Sequence, residues 1–372
     1  MAKNRKSIQI VIIFLLFIAY FFFAARPIPR ETVLTPVWIS SLEAEAPVVL
    51  RQTGRTNHLT PFNLGSRFGY VDSTGQFVLN KIKSDNVYLS ENMWTEYPDE
   101  PSQIEVKNIT GETIVTIEKT RGYPVLLDNR IFILGSEMNS LSEIDTSGNV
   151  LWTYEYGAIL TTIDAAAGLV LTGSIDGVIE ILNSEGRRIF HFRPGGSRYE
   201  VILGCAISRN GSHFGVISGI DQQRFLLFER HGNIGGEYKV VYHEFLETGF
   251  RREVRVLFID DDRRIVYECE NGLGVYNIKA RRGTIIPLDG EIAAIDASGD
   301  QGFFFLITSR PSQRKELIGI KFSQDGLFRR SSRNTIFMRA LFRSDDVFLG
   351  RTGSTLIIGG GKTLISFDLE AK

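Results

Sequence analysis

An all-β fold is predicted by three features of this 372-residue chain. Apolar and polar residues alternate with the period of half-buried strands; polar turns ending in glycine recur between the runs; and helical spacing sustained over three turns is absent beyond residue 25. Composition agrees, with 43% hydrophobic and 23% charged residues, which describes a globular chain and excludes collagen-like, coiled-coil and disordered readings. Two cysteines, Cys205 and Cys269, leave no disulfide scaffold and no Cys-rich metal module.

The one helical element comes first. Residues 8–25 are an 18-residue run interrupted only by Gln9 and Tyr20, about the length that crosses ~30 Å of hydrocarbon. Lys3, Arg5 and Lys6 precede it without an acid, so the positive-inside bias puts residues 1–7 in the cytoplasm and everything after residue 25 outside. A cleaved signal peptide is the rival, but Phe23-Ala24-Ala25-Arg26-Pro27 makes a poor cleavage site, so an uncleaved single-pass anchor is favoured. No cysteine stands nearby to be lipidated. Pro27 and Pro29 stiffen a linker, residues 26–35, and the β domain takes up residues 36–372.

Within that domain the turns repeat. Asp72-Ser73-Thr74-Gly75, Asn108-Ile109-Thr110-Gly111, Asp145-Thr146-Ser147-Gly148 and Asn183-Ser184-Glu185-Gly186 are followed by looser versions ending at Gly235, Gly283 and Gly326. Their mean spacing is about 42 residues, the period of a four-stranded propeller blade. Asp or Asn at the first position bonds the backbone ahead, and glycine at the last accepts positive φ without steric cost. The clearest unit runs through strands at Ile159 to Ile163, Gly168 to Thr172, Val178 to Leu182 and Arg188 to Phe192. Comparable quartets start near Tyr123, Val201, Val254 and Ile292, weaker ones near Val48 and Val87, and one more near Phe337.

The last unit is one strand short. Pro36-Val37-Trp38-Ile39 resembles Val150-Leu151-Trp152-Thr153, an outer-strand segment, so a strand near 36–40 is expected to complete the last blade. A ring sealed in this way leaves only short sheet edges. The prediction is a single β-propeller of four-stranded blades, eight in number, with seven as the alternative.

The segment Val170-Leu171-Thr172-Gly173-Ser174-Ile175-Asp176-Gly177-Val178-Ile179-Glu180-Ile181-Leu182-Asn183-Ser184-Glu185-Gly186, together with Asp145-Thr146-Ser147-Gly148-Asn149-Val150-Leu151-Trp152, resembles the PQQ-like or WD40-like repeat of bacterial propellers. The resemblance implies a propeller similar to the outer-membrane assembly scaffold lipoproteins of Gram-negative bacteria rather than to quinoprotein enzymes. The lipidated cysteine of those scaffolds has no counterpart here. Quinoprotein dehydrogenases, the resemblance further implies, carry a vicinal Cys–Cys pair, whereas Cys205 and Cys269 lie 64 residues apart.

No catalytic, cofactor-binding or metal-binding set is expected. Asp164, Asp260 to Asp262, Asp296 with Asp300, and Asp345-Asp346 close innermost strands, where turn capping accounts for them better than the convergent oxygens calcium needs. Five histidines are scattered without ligand spacing, and Gly359-Gly360-Gly361-Lys362 leads into a strand rather than a phosphate-binding helix. Both cysteines stand in apolar strand contexts that suit buried free thiols, with a disulfide as the alternative.

Charge supplies the partner argument. The whole chain carries −1, which does not attract nucleic acid, yet residues 26–250 carry −8 and residues 251–372 carry +4. Arg251, Arg252, Arg255, Arg281, Arg282, Arg329 and Arg330 supply much of the positive side and are the candidate partner-binding residues, since arginine clamps carboxylates bidentately. The expectation is a non-enzymatic propeller on the extracytoplasmic side of the cytoplasmic membrane, held through residues 8–25, that binds an envelope or membrane protein. The alternative is a small-ligand sensor or enzyme with its site at the channel mouth, which requires Asp164, Asp260 and Asp296 to converge.

Overall fold

A computed structural model describes residues 13–15, 17, 32–44, 48–49, 58–232, 236–247, 249–270, 272–299, 302–322 and 334–371. The chain divides into two units, Pro36–Asp368 and a smaller one of Met1–Thr35 with Leu369–Lys372. In the smaller unit Ile13, Phe14, Leu15 and Phe17 are helical, and each is more than half exposed. Most of the anchor expected over residues 8–25 lies outside the described residues, and among the described residues no helix is long and apolar enough to cross a membrane.

Eight antiparallel sheets are found among the described residues, and in chain order they are the blades of one propeller. Blade 1 covers residues 60–82, blade 2 86–118, blade 3 122–155, blade 4 160–192, blade 5 202–245, blade 6 256–287, blade 7 291–343 and blade 8 347–371. Blade 4 has the strands Leu160–Ala166, Leu169–Ser174, Ile179–Leu182 and Arg188–Phe192, close to the sequence reading. In blade 8, Val347–Thr352, Thr355–Gly360 and Thr363–Ala371 are joined on the outside by Thr32–Ser41, with Val48–Val49 beyond it.

The repeated turns follow the local chemistry. Asp72 Oδ1 accepts the N–H groups of Thr74 and Gln76 at 2.8 and 2.9 Å, and Asn183 Oδ1 accepts those of Glu185 and Arg187 at 3.1 and 2.9 Å. Glycine is demanded twice over. Gly75 and Gly186 have φ of +90° and +72°, and a Cβ at either would stand 2.7 or 2.5 Å from the indole of Trp38 or Trp152. Each tryptophan belongs to the outer strand of the preceding blade, so the turn glycine is where one blade rests on the next.

The core lies between blades. Leu171, Ile181, Phe214 and Phe228 fill the join of blades 4 and 5, and Ile217, Phe225, Ile265 and Tyr267 that of blades 5 and 6. Phe225 and Tyr267 stack with ring centroids 4.0 Å apart. At the join of blades 8 and 1, Trp38, Phe62, Leu64, Ile357 and Leu364 are all buried. There Trp38 Nε1 donates to the Ser73 carbonyl at 3.0 Å, and the Ser40 hydroxyl donates to the Gly75 carbonyl at 2.5 Å.

Two blades depart from the expected plan. Blade 1 has three described strands, Thr60–Leu64, Arg67–Val71 and Phe77–Ile82, and begins at Thr60 rather than near Val48, whose two-residue strand lies outermost in blade 8. Thr60–Leu64 is an edge strand, a place where Pro61, without an N–H, is tolerated. Phe337 does not open the last blade. It sits in Thr335–Arg343, the outer strand of blade 7, whose nine residues are long enough to pass for a new blade's beginning.

Candidate functional site

The side chains that close the innermost strands show what the channel can do. Asp164 lies two residues before the end of the inner strand of blade 4 and reaches across to blade 5. Its Oδ2 accepts the Ile207 N–H at 2.8 Å and its Oδ1 accepts the Ala165 N–H at 2.9 Å. Burial dominates over these bonds and pushes its carboxyl up to about 6. It lines a cavity of about 410 Å³ with Thr162, Cys205, Glu253 and Arg255, and burial raises the Glu253 carboxyl as well.

Asp260 and Asp296 are taken up elsewhere. Asp260, in a run of three left-handed residues with Asp261 and Asp262, is buried and paired with Arg264 and, at 2.7 Å, with Arg263. Asp296 Oδ1 caps its own turn by accepting the N–H groups of Ser298 and Gly299 at 2.9 and 3.2 Å. Its Oδ2 meets Arg351 Nη1 of blade 8 at 3.1 Å, with both side chains fully buried. Arg351 also donates to the Phe303 carbonyl at 2.6 Å and to that of Gly353 at 2.9 Å. The three carboxylates therefore do not converge on a common point; each fastens a turn or a join. Asp300 lies outside the described residues.

A larger cavity of about 880 Å³ opens at the channel mouth, lined among others by Thr60, Arg209, Asp261, Ser298 and Thr352. Arg209 and Asp261 pair there at 3.4 Å, both largely exposed. Among the described residues no group of three or more His, Cys, Asp or Glu side chains is placed to hold a metal ion. Cys205 and Cys269 are free and buried, and burial raises both thiols, that of Cys269 to about 11. Gly359 and Gly360 end one strand of blade 8 and Thr363 starts the next, so the glycine run is a strand-to-strand turn.

The arginines read from the sequence fall into three groups. Arg252 and Arg255 flank Glu268, which is 1% exposed in the second strand of blade 6. Arg252 donates to its two carboxylate oxygens at 3.2 and 2.8 Å and lies over the Phe250 ring, its guanidinium carbon 4.2 Å from the centroid. Arg255 stands 3.8 Å from Glu268 and donates to the Ile292 carbonyl of blade 7 at 2.7 Å. Arg251, Arg281 and Arg282 are exposed. Arg329 and Arg330 lie outside the described residues.

Sequence reasoning missed Glu268 and Arg351. A signal for Glu268 was available: a carboxylate inside the apolar strand Arg264–Cys269 needs a partner, and the arginines lie one hairpin upstream. Arg351 is 55 residues from Asp296, and no local pattern links them.

Comparison with known proteins decides the family. A model described as a beta-propeller protein matches residues 1–371. The chain belongs to this β-propeller family. It is similar to an uncharacterized protein of Treponema pallidum (strain Nichols), 26% identical over 373 residues, covering 99% of this chain and 93% of the relative. Among solved structures it is similar to BamB from Moraxella catarrhalis, with a TM-score of 0.56, 12% identity, and coverage of 90% of this chain and 100% of BamB. It is also similar to the computationally designed Ika8 protein, with a TM-score of 0.57, 14% identity, and coverage of 85% of this chain and 98% of the design. The likeness to BamB agrees with the repeat resemblance drawn from residues 145–186, and at these identities it is a likeness of fold.

Proposed function

We propose that this chain is a non-catalytic propeller that serves as a protein-interaction scaffold in the cell envelope, held to the cytoplasmic membrane through residues 8–25 and exposed on the extracytoplasmic side. The observation that carries the reading is where charge is and is not satisfied. Carboxylates at the inner strand ends are taken up by turns, neighbouring blades or arginines, so the channel side is committed to holding the ring together. Cationic side chains such as Arg251 and Arg281 stay exposed on connections that a rigid ring holds in fixed positions. Loops held in this way lose little entropy on docking. Four exposed apolar side chains at residues 13–15 and 17 support the tether, since such groups seek lipid or protein cover.

The test is affinity purification of the full chain from detergent-solubilised membranes, with quantitative mass spectrometry and cross-linking. A partner recovered near stoichiometrically, cross-linked to loop residues of the propeller, is the expected result. Recovery of the chain alone, or turnover of a small substrate by the purified protein, would replace the scaffold reading. The small-ligand alternative has lost two of its three carboxylates to internal pairs and keeps the mouth cavity and the smaller cavity lined by Asp164 in its favour.

A further inference from the structure

The turn between the third and outer strands of blade 6 breaks a rule that blades 2 to 4 obey. In those blades the corresponding turn ends in Gly111, Gly148 or Gly186, with φ between +72° and +92°. In blade 6 the strands Gly272–Asn277 and Arg282–Pro287 are joined by residues 278–281, and the left-handed position, φ +50°, is occupied by Arg281. A residue with a Cβ is strained there, and glycine would not be. Among the described residues the Arg281 side chain makes no close bond that would offset the strain. The Arg281 side chain is 78% exposed, and its nearest acid, Glu229, stands 3.9 Å away at the outer limit of an ion pair.

The surroundings are built rather than loose. Asn277 Oδ1 accepts the Ala280 N–H at 2.7 Å, and the Ile278 N–H donates to the Arg263 carbonyl at 3.0 Å, so the turn is held at its base. Lys279 and Arg282 are exposed beside Arg281, and no ion pair involves either among the described residues. Gly283 lies against the Tyr242 hydroxyl, which brings the outer strand of blade 5, with Val240 and Val241 exposed, alongside; Ile285 is exposed on the next turn of strand. Guanidinium groups bordered by apolar side chains have the composition of a protein interface.

We infer that residues 279–282 form a docking finger that takes an acidic, partly apolar segment of a partner protein, with Arg281 and Arg282 clamping its carboxylates. The inference rests on the scaffold reading and deepens it. Charge complementarity selects the partner, since three exposed cations stand together while Glu229 is 3.9 Å from Arg281 and Glu244 beside Gly283 is taken up by Tyr242 and Tyr267, and the exposed valines favour a peptide over a bare anion.

The probe is a fluorescein-labelled decapeptide alternating glutamate and leucine, titrated by anisotropy at low salt against the full chain in detergent. Wild type is expected to bind in a salt-dependent manner. Arg281→Gly is expected to raise the thermal midpoint by a few degrees while weakening the peptide at least tenfold, and Arg281→Asn to do the same more mildly. Arg187→Ala, an exposed arginine in a turn of blade 4 and outside the finger, should bind as wild type does. Unchanged affinity in Arg281→Gly overturns the finger, as does a failure of both variants to gain stability, because the strained residue would then be justified by the fold itself. Binding to phosphatidylglycerol vesicles in place of the peptide, lost in the same variants, overturns it in favour of a lipid surface. If the full chain captures its membrane partner equally well with Arg281→Gly, the finger fails while the scaffold reading stands.

Discussion

The joins on either side of the ring's seam, between blades 7, 8 and 1, differ from the joins of blades 3, 4 and 5. Both regions use the same two devices, an outer-strand tryptophan resting on a turn glycine and an inner-strand aspartate reaching the next blade. In the interior Trp152 is half-buried, and its indole N–H stays in its own blade, donating to Glu143 at 2.8 Å; Asp164 meets only backbone N–H groups. At the seam Trp38 is fully buried and donates across to Ser73, while Asp296 meets a fully buried arginine. Blades 3, 4 and 5 are also tied covalently, as blades 7 and 8 are, but nothing covalent joins the outer strand of blade 8 to Thr363–Ala371. At the seam both ties reach across a join through a side-chain donor or a buried ion pair, whereas the interior tryptophan bonds within its own blade.

The comparison can be broken most directly at the tryptophans. Trp38→Ala is expected to destabilise by about 3–5 kcal/mol, in line with emptying a large core site, and Trp152→Ala by about 2 kcal/mol because it is half-buried. Urea unfolding midpoints of the two variants measure this, and equal losses would mean that the seam has no special reinforcement. Next comes the charge pair. Asp296→Ala removes the carboxylate that buried Arg351 meets at 3.1 Å and is expected to cost about 3–5 kcal/mol, most of it recovered in Asp296→Leu combined with Arg351→Met. A single variant as stable as wild type would falsify the assignment of that pair to the seam.

A smaller effect separates the two aspartates by pH. The folded carboxyl of Asp164 titrates near 6, above its ordinary value of 3.8. The stability this contributes is present in full below pH 4 and is lost as pH rises through 6. Asp164→Asn should therefore gain on wild type by about 1–2 kcal/mol between pH 4 and pH 7, allowing for partial solvation. Parallel denaturant titrations at the two pH values test this; a difference independent of pH rules it out. The smallest effects sort the arginines. Arg252→Ala should lower stability by about 1 kcal/mol by weakening the cover of Glu268, and Arg251→Ala should stay within about 0.5 kcal/mol of wild type. Calorimetry of the two single variants is the check, and a triple change that includes Arg252 and Arg255 would mix binding with stability.

Local chemistry made much of this fold legible. Asp72, Asn108, Asp145 and Asn183 each bond the backbone within four residues, so their turns can be read without knowing the rest of the chain. The likeness of Trp38 to Trp152 likewise pointed to equivalent places on outer strands. Blade boundaries near the ends were harder. The start of blade 1 was sought at Val48, where two residues pair outside the final blade, and the long outer strand around Phe337 carried the alternation of an inner one. The roles of Arg252 and Arg255 were hidden because Glu268 becomes their neighbour only when the first hairpin of blade 6 folds. Exposure, which decides whether an arginine is free or already engaged, has no periodic signature in a loop.

The seam also sets a timetable for biogenesis. Trp38 lies in a strand that leaves the ribosome early, yet the strand it must accompany, Thr363–Ala371, is made last, more than 300 residues later. Until then the indole has no finished niche, and the growing arc exposes an unpaired edge at its leading end. Ring closure in this protein consequently waits for the last strand of blade 8, and the interval before it is when a holding chaperone has most to protect.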